Sequence, residues 1–206
     1  MLVDGKWEGP IVDQHMHLDR ENRFISAAEE FSRSGGTEIF LVHKPSFSKT
    51  LPTDLNGYRE VYRDTIKMAE IVRKKTELKV NVVLGPHPVV WDIQANDIGV
   101  KASSELHISA VGLALDMIEE GEAVCLGEVG RPHYPVSEDR WTEANDLLLE
   151  IMRMASTSNS PVQLHVEENG NQTCKDIARL CNRSGLPKKR TIRHFAPSDI
   201  SDQRTS

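Results

Sequence analysis

Two histidines near the N-terminus are the first residues in this chain whose type and spacing suggest a metal-binding site. His15 and His17 are separated by one residue and directly follow a short apolar stretch. Residues two apart on a β-strand point to the same side, so both imidazoles would aim at one point in space. Two histidines so placed can bind a divalent metal ion, although two histidines at a strand end with no other ligand nearby are more often simply polar edge residues.

Further residues with metal-ligand chemistry follow later apolar runs. They are His87 in Gly-Pro-His-Pro, Glu128 in Gly-Glu-Val-Gly, His165 in Leu-His-Val-Glu and His194 in Arg-His-Phe. Any one of them alone is ordinarily a hydrogen-bonded or solvated side chain. Their joint occurrence, each at the end of a different predicted strand, favours a shared metal site.

The elements that must position these residues alternate between short apolar runs and longer amphipathic ones. Strands are predicted at residues 11–13, 38–42, 79–84, 123–126, 161–166 and 191–194. Helices are predicted at residues 23–34, 55–76, 104–120, 138–157 and 173–182. This α/β alternation predicts a parallel sheet covered by helices, either an open doubly wound sheet or an incomplete (β/α)8 barrel. The glycine-rich phosphate fingerprints of open-sheet nucleotide binders are absent.

Bulk composition narrows the class of protein. The 206 residues suit a single domain over 1–206, and the formal net charge of −6 does not by itself attract nucleic acid. Three cysteines without a CxxC pair suit a reducing compartment. The N-terminus lacks a signal-peptide pattern, and no apolar run approaches membrane-spanning length. We therefore expect a cytoplasmic protein with no membrane partner.

Taken in order, these motifs resemble the TatD-related family of metal-dependent hydrolases, which are amidohydrolase-type TIM barrels. The resemblance spans about residues 10 to 197 and rests on the segments 13–19, 85–88, 127–130, 164–165 and 194–195. The loop 130–135 and the Glu-Glu pair after His165 depart from the bacterial deoxyribonuclease pattern. They look more like an archaeal branch of predicted hydrolases.

The resemblance implies a role for each matched residue. His15 and His17 would hold one divalent ion and His165 and His194 a second, each ion being zinc, manganese or magnesium. Glu128 would touch both ions and act as the catalytic carboxylate. The remaining candidates are substrate contacts, for which plain turn or surface roles stay open: His87, Arg131, His133 and Lys44.

The implied activity is hydrolysis by a metal-bound hydroxide, with phosphodiesters as the leading substrate class and nucleic acid as a possible substrate. The alternatives are hydrolysis of a small amide or lactone, or a non-catalytic metal-binding remnant of such an enzyme. A cationic pocket near Arg131 and His133 would favour the phosphodiester. An apolar pocket there would favour the amide or lactone.

One element of the family pattern has no counterpart in this sequence. The family carries an aspartate after its eighth strand, whereas this chain ends at Ser206, soon after the sixth predicted strand. The sequence therefore predicts a (β/α)8 barrel truncated after its sixth unit, with weak catalysis and a tendency to form homo-oligomers through unpaired edges. Candidate substitutes for the carboxylate are Asp13, Asp19 and Asp199.

Overall fold

A short N-terminal hairpin precedes six parallel strands in the computed structural model, which describes residues 2–48 and 50–195. The hairpin strands are β1 (Leu2–Val3) and β2 (Lys6–Trp7). The parallel strands are β3 (Val12–Met16), β4 (Glu38–Val42), β5 (Lys79–Leu84), β6 (Cys125–Gly130), β7 (Val162–His165) and β8 (Thr191–Arg193). Strands that are successive in sequence are neighbours in the sheet. This is the strand order of a (β/α) barrel, whereas a doubly wound sheet reverses direction part-way.

The helices cover the sheet, and five of them match the predicted ones to within a few residues. The helices are α1 (Phe24–Arg33), α2 (Leu55–Lys75), α3 (Pro88–Ile98), α4 (Val100–Glu119), α5 (Glu138–Thr157) and α6 (Gly170–Ser184), and all but α3 have a predicted counterpart. Asp54 and Ser137 cap α2 and α5 through their side-chain oxygens, as expected of these residue types. Within the described residues, none of these helices has the length and hydropathy that a membrane span requires.

Three local features differ from the sequence-based expectations. Strand β6 begins two residues late and continues to Gly130, so Glu128 lies on the strand and not after it. The helix α3 was missed; Pro88 occupies its first turn, where the missing N–H costs nothing. The N-terminal hairpin was also missed, although Asp4 and Gly5 both have positive φ and form the tight turn that this dipeptide favours.

A hydrogen bond across the concave side of the sheet records its curvature. The Gln163 side-chain amide on β7 donates to the Gln14 backbone oxygen on β3 at 2.9 Å. These strands are four positions apart in the sheet, so the bond spans the interior of a curled half-barrel. Within the described residues, β3 and β8 each pair on one side only. The candidate Asp199 lies outside the described residues.

Glycines allow three neighbouring strand ends to approach closely. A Cβ added at Gly130 would overlap the backbone of His165, and one at Gly127 would lie 2.8 Å from the Gln163 side chain. Gly85, after β5, faces the Gly127 backbone at 2.9 Å in the same way. The two glycines that flank Glu128 therefore bring its strand against the end of β7.

His107 is an ionisable side chain buried in α4, away from these strand ends. It is fully buried, and neither of its ring nitrogens has a hydrogen-bond partner among the described residues. Burial lowers the pKa of His107 from 6.5 to about 3. The folded protein therefore holds this imidazole neutral at pH values where the unfolded chain protonates it.

His107 should make the protein less stable in mild acid. Because its pKa is lower in the folded state, stability is lost as pH falls below about 6.5, the pKa of the unfolded chain. Between pH 7.5 and 5.5 the His107 contribution amounts to about 1.4 kcal/mol. Urea denaturation at the two pH values should give a smaller loss for His107→Leu than for the wild type, by about that amount. Equal losses in both proteins would contradict the assignment.

Candidate metal centre

The carboxyl ends of the parallel strands meet at one edge of the sheet, and the predicted ligands converge there. His15 lies on β3 and His17 just beyond it, Glu128 lies on β6, and His165 ends β7. His194 directly follows β8. The structure thus brings all five residues into one cluster, which we call the histidine cluster, with Glu128 at its centre.

Glu128 is the buried centre of this cluster, with only 2% of its side chain exposed. Its Oε1 lies 2.9 Å from His15 Nε2, 2.8 Å from His194 Nε2 and 3.4 Å from His165 Nδ1. Its Oε2 faces His87 Nε2 at 3.2 Å and His17 Nε2 at 3.8 Å. Imidazoles from five different positions therefore surround a single carboxylate.

The spacing between ring nitrogens tests whether these residues fit a divalent ion. The two Nε2 atoms of His15 and His17 are 3.2 Å apart, and His165 Nδ1 lies 3.0 Å from His194 Nε2. Two nitrogens bound to one zinc at 2.0–2.1 Å in tetrahedral geometry are about 3.3 Å apart. Both predicted pairs therefore have the separation of shared ligands, and the imidazole-rich donor set suits zinc.

Other groupings of the same atoms are equally compact. His15, Glu128 and His194 offer ligand atoms within 4.8 Å of one another, and so do His87, Glu128 and His165. The rings of His15 and His194 also stack, with centroids 4.1 Å apart. Geometry alone therefore supports a metal centre without dividing the ligands between two ions.

Hydrogen bonds outside the cluster set which ring nitrogens face the centre. His17 Nδ1 lies 3.0 Å from the Val42 carbonyl oxygen, which can only accept, so the ring proton is assigned to Nδ1. The Nε2 lone pair of His17 then points into the cluster. His165 Nε2 lies 2.7 Å from His133 Nδ1, which orients the His165 ring from its outer side.

The protonation states match a ligand set. Burial alone raises the pKa of Glu128, but hydrogen bonds from His15, His165, His194 and His87 outweigh it and hold that pKa well below its usual range. Burial lowers the pKa of His17, despite the opposing effects of Val42 and Glu128. The ionised carboxylate and the neutral ring of His17 provide lone pairs for a cation at neutral pH, whereas a ring nitrogen that donates to Glu128 must give up its proton to bind one.

The residues predicted as substrate contacts lie in different surroundings. His133 is exposed beside His165 and borders an open groove of about 780 Å³. His87 is buried against Glu128. Lys44 pairs instead with Asp19 at 2.9 Å. Asp13 accepts a hydrogen bond from the His15 backbone N–H through its side chain.

Arg131 differs most from its expected role as an anion contact. It is 2% exposed and forms a two-pronged ion pair with Glu167, with one N–H bond of 2.7 Å. It also donates to Asn145 and lies over the Trp141 ring at 4.4 Å. These contacts occupy its guanidinium, so Arg131 links the loops after β6 and β7 to α5 and is not directed at the groove.

Sequence reasoning missed His43, a further histidine beside the cluster. It follows β4 as the other histidines follow their strands, so the same pattern could have identified it. It is buried, its Nδ1 lies 3.0 Å from Thr65 Oγ1, and burial lowers its pKa to about 3. Its neutral ring therefore packs beneath the site.

Comparison with known proteins agrees with this geometry. The sequence profile of TatD-related DNases matches residues 12–205. The chain belongs to the TatD-related DNase family. This TatD-related chain is 27% identical over 188 residues to an uncharacterized protein of Methanocaldococcus jannaschii, covering 90% of the chain and 65% of that protein's length.

Two solved structures have a similar fold. A TatD-like protein from Archaeoglobus fulgidus superposes with a TM-score of 0.61 at 16% identity, over 93% of this chain and 71% of that one. The phosphotriesterase homology protein from Escherichia coli gives a TM-score of 0.53 at 12% identity, over 89% and 61%. At these identities the likeness concerns the fold, which is the TIM-barrel type that the sequence predicted.

Removing ligands from the histidine cluster should remove metal. We expect the wild type to bind divalent zinc or manganese, and the double variant His165→Ala with His194→Ala to bind fewer ions. Glu128→Gln should weaken affinity by more than about 100-fold, because losing a residue that only orients a ligand already costs about 10–100-fold. Elemental analysis and calorimetric titration are the measurements. The matched control is Glu168→Gln, on the loop after β7, which pairs with Arg193 outside the cluster; metal loss equal to that of Glu128→Gln would refute the assignment.

Arg131 should contribute to stability and not to metal binding. Arg131→Met leaves the Glu167 carboxylate without its partner, so the free energy of unfolding should fall by about 3 kcal/mol, the lower end for a buried pair because Glu167 is one-fifth exposed. Adding Glu167→Gln should recover part of that loss. Chemical denaturation and metal titration are the measurements. Unchanged stability would instead return Arg131 to the role of substrate contact.

Proposed function

We propose that this protein is a divalent-metal-dependent hydrolase whose preferred substrate is a small phosphodiester. In this proposal His15 and His17 hold one ion, His165 and His194 hold another, and Glu128 contacts both. The observation that carries it is the convergence of these imidazoles on one buried, ionised carboxylate. When bound, the ions would polarise a phosphoryl oxygen and activate water for attack.

The charge balance of the cluster favours an anionic substrate. An imidazole binds a metal ion in its neutral form and so adds no charge, and Glu128 supplies the one carboxylate of the metal-ligand groups found among the described residues. Two divalent ions would therefore leave a net positive charge at the strand ends. A phosphodiester monoanion is attracted to such a centre without help from an arginine or lysine.

The chain's own residues would serve to orient the metal ligands. Val42 fixes the ring of His17 through its carbonyl oxygen, and His133 holds the outer nitrogen of His165. Glu128 remains ionised because its hydrogen bonds outweigh its burial. Preorganised ligands of this kind do not have to reorganise as charge develops in the transition state.

The groove beside His133 supports a second candidate, hydrolysis of an uncharged lactone or amide. It is lined by Tyr134, Pro135, Val136, Trp141 and Thr142, and by the acidic Glu138, Glu167 and Asp176. The described residues that line it include no lysine or arginine. A groove without a cationic lining offers no ion pair to the backbone of a long polyanion, so we rank single-stranded DNA below a small phosphodiester as substrate.

The three cysteines bear on the compartment in which the protein works. Cys125, Cys174 and Cys181 are all free and buried. Free thiols suit a reducing compartment, and we propose a cytoplasmic location on this ground.

Hydrolysis with manganese or zinc supplied should follow the order bis-p-nitrophenyl phosphate, then an aryl lactone, then single-stranded DNA. We expect chelation to abolish turnover, and Glu128→Gln to reduce kcat/KM by at least about 100-fold while Glu168→Gln leaves it unchanged. Initial rates on the three substrates are the measurement. A lactone hydrolysed faster than the phosphodiester would select the second candidate, and metal-independent turnover would reject both.

A further inference from the structure

His87 is engaged through both of its ring nitrogens. It is the N-cap of α3, and its Nδ1 accepts the backbone N–H of Val89 at 3.2 Å. Pro88 between them has no N–H, so the Val89 N–H is the first donor of the helix that needs a partner. A nitrogen that accepts a hydrogen bond carries no proton. The cap therefore assigns the ring proton of His87 to Nε2.

The protonated Nε2 of His87 faces Glu128. It lies 3.2 Å from Glu128 Oε2, and the His87 side chain is only 9% exposed. The N–H of His87 thus donates to this carboxylate oxygen. A nitrogen that bears a proton has no lone pair for a metal ion, so the helix cap and metal ligation through Nε2 are mutually exclusive.

The two oxygens of Glu128 are held unequally. Oε1 is approached by His15, His165 and His194 within 3.4 Å. Oε2 has His87 at 3.2 Å and His17 farther away at 3.8 Å. Without His87, Oε2 would lose its nearest hydrogen-bond partner, and an oxygen meant to contact a metal ion would be held less firmly.

We propose that His87 is a positioning residue, which uses the start of α3 to aim Glu128 and is not itself a metal ligand or a substrate contact. This inference rests on the proposed metal centre. It separates His87 from His17, whose Nδ1 donates to Val42 and whose Nε2 is left with the lone pair. It also removes His87 from the compact group that it forms with Glu128 and His165.

Two substitutions divide the two functions of His87. In His87→Asn the side-chain oxygen can occupy the position of Nδ1 and cap α3, because asparagine is a preferred N-cap, but nothing reaches Glu128. In His87→Gln the side-chain amide can occupy the position of Nε2 and donate to Glu128, but glutamine is not among the preferred N-caps. Each variant thus keeps one contact and loses the other.

Metal titration and thermal unfolding of the metal-free protein test the proposal. We expect both variants to bind as many ions as the wild type, with affinity about 10–100-fold weaker in His87→Asn and within a few-fold of wild type in His87→Gln. Thermal unfolding should show the opposite order, with the lower melting temperature in His87→Gln. Loss of one ion in both variants would make His87 a ligand. Weaker metal binding in His87→Gln than in His87→Asn would reduce it to a helix cap.

A separate measurement distinguishes failure of this inference from failure of the proposed function. If the wild type binds no divalent ion, the proposed function falls. The tautomer of His87 in the metal-free protein can then still be measured by ¹⁵N–¹H correlation of its ring nitrogens. The Nε2–H tautomer is the expected result, and an Nδ1–H tautomer would overturn the inference whatever the metal content.

Discussion

Glu128 is a buried and ionised carboxylate enclosed by histidine side chains, and this arrangement constrains every strand that contributes to it. A charged side chain out of contact with water is costly unless it is paired and hydrogen-bonded. Glu128 meets that condition only because histidines from several strand ends reach it within hydrogen-bond distance. Each strand must therefore have the register that brings its last residues to Glu128. The histidine cluster thus couples the positions of β3, β6, β7 and the segment after β8.

Close packing of β6 against its neighbours is the backbone counterpart of this constraint. Gly127 and Gly130 leave no room for a Cβ toward β7, and Gly85 leaves little toward β6. A larger residue at any of these positions would separate the strands and move Glu128 away from His165. Gly127 and Gly130 are therefore explained by the close approach of neighbouring strands, since neither has a positive φ.

Residues around the cluster hold it without joining it. Val42 and His133 orient rings from outside through hydrogen bonds, and the Arg131–Glu167 pair connects the loops after β6 and β7 to α5. This buried pair neutralises the cation that the motif seemed to offer to a substrate. The positive charge that attracts an anionic substrate would then come from the bound ions and not from the groove beside the histidine cluster.

The alternation of strands and helices, and the identity of the converging side chains, could be predicted from the amino-acid sequence. Period and punctuation are local properties, so β4 (Glu38–Val42) and β5 (Lys79–Leu84) could be bounded from the apolar runs alone. The Asp4-Gly5 turn and α3 were equally local and were missed because the segments are short or lack an amphipathic period. Only the tertiary structure decided which charged groups neutralise one another and which ring nitrogens face the centre. Arg131 is paired with Glu167, 36 residues away, and the tautomer of His87 depends on a helix cap together with a carboxylate on another strand. Such choices arise from distances between residues remote in sequence, and no local pattern encodes those distances.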